Sequence, residues 1–217
     1  MRRDRPKRWP ALVATSALLV AGLLVMGASP AGAVRGAVSG TVVNEAEYGF
    51  SFTLPVTWKQ VPLNGTDVTA LLNAATHDDP ALANALSGEV SAAASKGMKV
   101  FAVGPLSGAT LANLNIIVTS SAGAPTGSAF APAAVVEAKI GLTEIGAGHA
   151  KTSIVRNRLG TVAQVTYQLT LKNSPPQFGI QFYALHKSHV DIISVTTSSM
   201  SESQAAARVI VNGWHWH

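Results

Sequence analysis

The stretch Tyr48-Gly-Phe-Ser-Phe-Thr-Leu-Pro-Val-Thr-Trp58 decides how this chain must fold. Its large apolar residues recur at every second position, and a β-strand would place all of them on one face. They are Tyr48, Phe50, Phe52 and Leu54. Pro55 has no N–H to donate to a sheet, so the strand must end there, with Trp58 just beyond the turn. We therefore expect Phe50, Phe52 and Trp58 to share one buried core.

The first 33 residues have the three parts of a secretory signal peptide. Five basic residues within the first eight precede an apolar run from about Ala11 to Met26, and small residues follow up to Ala33. We expect cleavage after Ala33. The alternative is an uncleaved anchor, because the apolar run is near the lower limit of a membrane-spanning length. The chain has no cysteine and so cannot carry the lipid of a bacterial lipoprotein. The sequence predicts a secreted or cell-envelope protein.

The positive charge of the chain belongs mainly to this signal. The chain has sixteen basic and eleven acidic residues, of which five basic residues and one acidic residue lie in residues 1–33. The rest of the chain therefore has eleven basic and ten acidic residues, a net charge of +1. This near balance, with the basic residues scattered, does not indicate a nucleic-acid-binding protein. The remaining 184 of the 217 residues are enough for one domain with its own core.

The part of the chain after Trp58 is predicted to contain a short strand, a turn and then helices. The strand covers 59–63, and Asn64-Gly65 forms the turn. A short helix runs from Asp67 to Ala75. A longer helix begins at Asp79-Pro80, because Asp accepts hydrogen bonds from free first-turn N–H groups and Pro is tolerated at the first helical position. Its buried residues, at helical spacing, are Leu82, Leu86, Val90 and Ala93.

Two strands and a helix come next. Strands are predicted over 98–104, which is apolar on both faces and therefore central in a sheet, and over 112–120, where apolar residues alternate with Asn113 and Asn115. A helix then runs from Pro132 to about Ile145.

Four strands between Lys151 and Thr197 form, most simply, an antiparallel meander. In the second and third of them apolar and polar residues alternate, so this part of the sheet is expected to be buried on one side. Those apolar residues are Val165, Tyr167, Leu169, Leu171, Phe178, Ile180 and Phe182. The final helix begins at a capping box, Ser201-Glu-Ser-Gln204, packs through Val209 and Ile210, and ends at Gly213.

No internal repeat or domain boundary interrupts the chain. Residues 34–47 are a lead-in segment that can pair at a sheet edge, and residues 48–217 are predicted to form a single domain. Hairpin strands separated by helices predict an α+β fold in which helices cover a largely antiparallel sheet.

In these elements the chain resembles the PsbP-like superfamily, an α-β-α sandwich. The resemblance rests on Tyr-Gly-Phe-Ser-Phe-Thr-Leu-Pro55, on the strand with Phe101, and on Leu111-Ala-Asn-Leu-Asn-Ile-Ile-Val118, followed by a helix, a meander and a closing helix. In style it is similar to small exported actinobacterial proteins of the LpqN kind. The resemblance implies a binding or assembly protein and not an enzyme. Many such relatives carry a lipobox cysteine, which this chain lacks.

The sequence contains no pattern of a nucleophile elbow, a metalloprotease histidine pair or a P-loop. Gly146-Ala-Gly-His-Ala-Lys-Thr152 faintly resembles a phosphate loop but follows a helix instead of a strand. Ser188, His189 and Asp191 suggest a catalytic triad. On an extended strand, however, residue 188 points away from the other two, so a polar hairpin tip is the favoured interpretation. His189 beside Asp191 is then a surface pair.

The C-terminal histidines are the candidate metal ligands. His215 and His217 flank Trp216 and could share a zinc or copper ion. Two ligands do not complete a site, and His77 and His149 are far along the chain. We therefore predict a solvated tail, no metal, no cofactor and no catalytic residue; Trp214 is expected to attach the last helix to the sheet.

Three functions remain open. The leading one is an exported, non-enzymatic binding or assembly protein whose partner is another envelope or secreted protein. It would bind no nucleic acid and have no stable membrane anchor after cleavage. A second is a carrier of a lipid or small apolar ligand, with Phe178, Phe182 and the helix over 132–145 lining the pocket. A third is a hydrolase whose site the sequence does not display. The ligand-binding residues are unknown from the sequence.

Overall fold

The computed structural model describes residues 40–63, 87–107 apart from Glu89 and Ala92, 110–170 and 175–217. These residues contain ten strands and two long helices. In chain order they are β1 (Val42–Glu45), β2 (Phe50–Thr53), β3 (Lys59–Val61), β4 (Met98–Ser107), β5 (Thr110–Ser120), α1 (Phe130–Glu144), β6 (Gly148–Asn157), β7 (Gly160–Leu169), β8 (Gln177–His186), β9 (His189–Thr197), α2 (Met200–Asn212) and β10 (His215–Trp216). Residues within 87–94 are also helical.

Several predicted segments fall outside the described residues. They are the signal peptide over 1–33, the turn at Asn64-Gly65, the helix over 67–75 and the start of the helix at Asp79-Pro80. No helix in the described part of the chain has the length and apolar character needed to span a membrane.

Seven strands form the large sheet, in the order β3-β4-β5-β9-β8-β7-β6. Every neighbouring pair is antiparallel. Strands β6 to β9 follow one another as hairpins, which confirms the predicted meander and the α+β class. Strand β4, predicted to be central because it is apolar on both faces, is instead second from the edge, beside the three-residue β3.

One face of the large sheet, the α1 face, is covered by α1 and by the helical residues near position 90. Val90 and Ala93 are buried there, as predicted. Helix α1 starts two residues before Pro132, and Gly146 follows its end with a left-handed φ of 73°. Small and apolar residues of α1 pack on the sheet: Phe130, Ala134, Ala138 and Leu142.

The opposite face, the α2 face, is covered by α2 and by a small antiparallel sheet of order β1-β2-β10. Phe50 and Phe52 have no exposed surface and share this core with Trp58, which confirms the predicted nucleus. The indole of Trp214 stacks on the rings of Phe50 and Phe52 at centroid distances of 4.7 and 5.4 Å. The packing role predicted for Trp214 is therefore confirmed.

The lead-in segment contributes to the fold. Strand β1 pairs antiparallel with β2 and places Val43 opposite Phe52, as the predicted edge pairing requires. The small sheet thus begins before Tyr48.

Helix α2 begins earlier than predicted. Its N-cap is Ser199, whose Oγ accepts a hydrogen bond from the N–H of Glu202 at 3.3 Å. The capping box predicted at Ser201-Glu-Ser-Gln204 is therefore wrong. Ile210 is buried as predicted, whereas Val209 is only partly buried. The residues of α2 that pack on the sheet are Ser203, Ala206, Ala207, Ile210 and Val211.

One-sided burial is confirmed for β7 and wrong for β8. Gln164 and Thr166 of β7 are partly exposed, but Gln177 and Gln181 of β8 are buried at 2% and 1% exposure. Strand β8 lies between two other strands, and α2 contacts one of its faces and α1 the other. Helices on both faces of β8 therefore bury the side that the amphipathic pattern predicts to be exposed.

Candidate functional site

Ser188, His189 and Asp191 do not form a catalytic triad. Lys187 and Ser188 make the tight turn between β8 and β9, and Lys187 adopts a left-handed φ of 50°. His186 lies directly opposite His189 in the hairpin. The interpretation as a hairpin tip is confirmed.

The interpretation of His189 and Asp191 as a surface pair is wrong. Asp191 is 1% exposed, and neither oxygen of its carboxyl group has a hydrogen-bond partner in the described structure. It faces the α2-side core, opposite Val118 of β5 and Ala184 of β8. Burial raises the pKa of Asp191 to about 7. Strand β9 is the central strand of the sheet, and Asp191 points to the same face as the buried Ile193 and Val195, so its carboxyl group lies in the core.

The C-terminal histidines His215 and His217 are both exposed, as predicted, but the segment that carries them is a strand and not a free tail. His215 and Trp216 form β10, which pairs with Ser51 and Phe50 of β2. The Nε2 atom of His217 lies 3.0 Å from Ser51 Oγ. Trp216 stacks on the ring of His186 at 4.1 Å. The C-terminal segment packs on the domain because the indoles of Trp214 and Trp216 contact aromatic residues of β2 and β8.

These histidines also do not gather into a metal site. In the described ranges no three His, Cys, Asp or Glu side chains are placed to hold a metal ion. His149 lies on β6, at the far edge of the large sheet, and His77 is outside the described residues. The segment Gly146–Thr152 leads from α1 into β6 and opens no helix, so it lacks the helix N-terminus of a phosphate loop.

The apolar pocket predicted for a carrier does not form from the named residues. Phe182 belongs to the α2-side core, whereas α1, which corresponds to the predicted helix over 132–145, packs on the opposite face of the sheet. Phe178 has the same strand parity as Phe182 and so points to the α2 side. The strand backbone separates the two parts of the predicted pocket.

The most exposed part of the large sheet is its edge strand β6. Seven of its ten residues are exposed and none is buried. Within the described part of the chain it pairs with β7 on one side only, and its outer edge presents backbone N–H and C=O groups without sheet partners there. The pairing with β7 is irregular between Gly148 and Lys151, and regular from Lys151 to Asn157. Ile154, in the regular part, is 50% exposed.

The edge strand lies in a part of the chain that carries only positive charge. No acidic residue occurs between Ile145 and Val190, while five basic residues do. Lys151 and Arg156 are on β6 itself, and both are exposed. This charge asymmetry is visible in the sequence, but the location of Lys151 and Arg156 on an edge strand is not.

A groove on the α2 face adjoins this edge. It has a volume of about 250 Å³ and lies between α2 and strands β7 and β8. Its rim carries amides from both sides and one cation, Arg208, and its floor is apolar. The lining residues are Asn157, Gln164, Ile180, Phe182, Gln204, Ala207, Arg208, Val211 and Asn212.

No protein-family model matches the chain, and no curated protein sequence matches it. Solved structures similar to it include a protein from Bacteroides thetaiotaomicron VPI-5482, with 12% identity and a TM-score of 0.44 over 82% of this chain. The match spans 48% of that protein, about half of its length. The cyanobacterial PsbP (CyanoP) from Synechocystis sp. PCC 6803 has 13% identity and a TM-score of 0.47, over 87% of this chain and 98% of that one. LpqN of Mycobacterium tuberculosis, involved in cell envelope biogenesis, has 12% identity and a TM-score of 0.42, over 81% of this chain and 84% of that one. The structural neighbours thus include a PsbP and LpqN, the proteins to which the sequence showed a resemblance.

Proposed function

We propose that the chain is an exported, non-enzymatic binding protein, and that another envelope or secreted protein docks on the free edge of β6. The observation that carries the proposal is an exposed ten-residue edge strand in a part of the chain without acidic residues. A partner segment that adds a strand there would gain backbone hydrogen bonds along the edge.

The positive charge of β6 indicates which kind of partner segment would bind there. Arg156 shares a face of β6 with the exposed Ile154, and Lys151 projects from the other face. An extended segment with an apolar side chain opposite Ile154 and acidic side chains opposite Lys151 and Arg156 therefore fits this edge best. The same cations disfavour a second copy of the chain, because pairing two β6 edges would bring like charges together. Charged edge strands often serve only to prevent aggregation, and the crosslinking experiment below distinguishes that role from docking.

Export depends on residues 1–33. We expect the protein recovered from its native host to begin at Val34, which intact-mass measurement would test. A mass that retains the first 33 residues would instead indicate an anchored protein.

The test of docking is site-specific photocrosslinking in the intact host envelope. A photoreactive residue in place of Ile154 should give a reproducible crosslinked protein. The control is the same residue in place of Val42, which is 67% exposed on the edge strand β1. Equal crosslinking from both positions would overturn the proposal.

Charge reversal provides a second readout. Lys151→Glu combined with Arg156→Glu should remove the crosslink, while Lys59→Glu on the opposite edge strand β3 should not. Native mass spectrometry of protein purified without detergent tests the carrier alternative, and a stoichiometric bound lipid would favour it. Replacing Ser188 and His189 by Ala should leave the crosslink intact, because a binding protein does not need these side chains for chemistry.

A further inference from the structure

We propose that the groove between α2 and strands β7 and β8 binds a small hydroxyl-rich molecule that carries one carboxylate or phosphate group, the chemistry of an acidic sugar. This inference is independent of partner docking at β6 and concerns a different surface.

The charge in the groove favours an anion. Arg208 is exposed on the rim, and no carboxylate lines the groove. Among the described residues its guanidinium makes no hydrogen bond or ion pair. The last turn of α2 contains no basic residue, so Arg208 is not placed to interact with the negative end of the helix dipole. With no partner among the described residues, this guanidinium presents a fork of donors that matches a carboxylate or phosphate.

The rest of the rim favours hydroxyl groups. Gln204, Arg208 and Asn212 are spaced by four residues and therefore form one row along α2 that borders the groove. Gln164 of β7 and Asn157 at the end of β6 stand on the other side. Each amide offers both donors and acceptors, which suits hydroxyl groups because these also donate and accept. A row of this kind is often only a solvated helix face, but here a second set of amides faces it.

The size and floor of the groove limit the ligand further. Its volume of about 250 Å³ is below the range of about 300–1,000 Å³ of sites for drug-sized molecules, so a single sugar-sized molecule fits it better than a lipid. Phe182 and Ile180 form an apolar floor, but they are only 4% and 3% exposed. Binding must therefore depend on the polar rim.

The experiment is a titration followed by NMR, which observes the side-chain amide groups of the rim directly. The probes are glucuronate, glucose 6-phosphate and glucose. We expect the two anions to shift the amide signals of Gln164 and Gln204, and to bind about tenfold more tightly than glucose, or about 1.4 kcal/mol. Arg208→Gln should abolish this difference. The control Lys139→Gln, an exposed cation on α1 at the opposite face, should leave it unchanged.

A second variant tests the sign of the charge without removing the arginine. Gln164→Glu keeps the size of the side chain but places a carboxylate on the rim, and it should weaken binding of both anions more than that of glucose. Absence of any groove shift with all three probes would overturn the proposal. So would anion binding that Arg208→Gln leaves unchanged.

Discussion

The indole ring of Trp58 lies directly against the backbone of Gly104. A Cβ atom added to Gly104 would be 2.5 Å from Cε2 of Trp58, closer than side chains ever approach. Gly104 is on β4. The chain continues from Trp58 into β3, which pairs with β4 so that Lys59 lies opposite Val103, next to Gly104. The absence of a side chain at Gly104 is thus what lets the ring reach the α2-side core.

This contact gives the first prediction. Trp58→Ala should lower the free energy of unfolding by about 3–5 kcal/mol, because a large buried ring is lost. Gly104→Ala should also destabilise, because the added methyl group displaces the indole. Gly104→Ala should lower the free energy of unfolding less in the Trp58→Ala background than in the wild-type protein, because the indole that the methyl group would displace is absent. Urea unfolding of the four proteins measures this coupling. Additive effects of the two changes would contradict the contact.

Asp191 gives the second prediction, on pH. Its pKa is about 7 in the folded protein against 3.8 for the exposed group. At a pH between these two values, Asp191 is protonated in the folded state and ionised in the unfolded state. The free energy of unfolding should therefore fall as pH rises from 4 to 7. The loss is on the order of 4 kcal/mol.

The matched variant for this prediction is Asp191→Asn, which cannot ionise. Its unfolding free energy, measured at several pH values, should lack the fall that the wild-type protein shows. Above pH 7 the variant should be the more stable protein. Parallel pH curves for the two proteins would show that Asp191 does not titrate as its burial implies.

Alternation along a strand was sufficient to predict the main elements but not always their burial. Phe50 and Phe52 are buried on one face of β2, as their spacing indicates. Asn113 and Asn115 alternate with apolar residues in the same way, yet both are buried, at 2% and 4% exposure. The pattern fixes which side chains share a face, whereas the elements that pack on that face decide whether it meets solvent.

The candidate sites depend on contacts between distant parts of the chain. Gln164 and Arg208 face the same groove only because α2 packs beside the meander, and no local pattern contains that information. The run without acidic residues from Ile145 to Val190 was readable in the sequence. It could be assigned to a free edge only once β6 was known to be the last strand of the sheet.

The start of α2 gives the third prediction. Ser199→Ala should destabilise the protein by about 1 kcal/mol, because the N–H of Glu202 loses its hydrogen bond to Ser199 Oγ. Ser201→Ala, at the position where the sequence pattern suggested a cap, should change stability by less than about 0.5 kcal/mol, since that side chain is exposed within the helix. Thermal unfolding of the two variants compares them directly. A larger loss for Ser201→Ala would restore the original capping box.

The C-terminal strand gives the fourth prediction. Deleting residues 215–217 removes the stacking of Trp216 on His186 and the hydrogen bond from the N–H of His217 to the carbonyl of Gly49, which is 2.8 Å long. We expect a loss of about 2 kcal/mol, because part of the aromatic contact surface of β2 becomes exposed. Trp214→Ala should cost more, about 3–5 kcal/mol, because that ring is fully buried between α2 and β2. Urea unfolding monitored by circular dichroism orders the two variants. If the deletion left the unfolding midpoint unchanged, β10 would not contribute to the small sheet in solution.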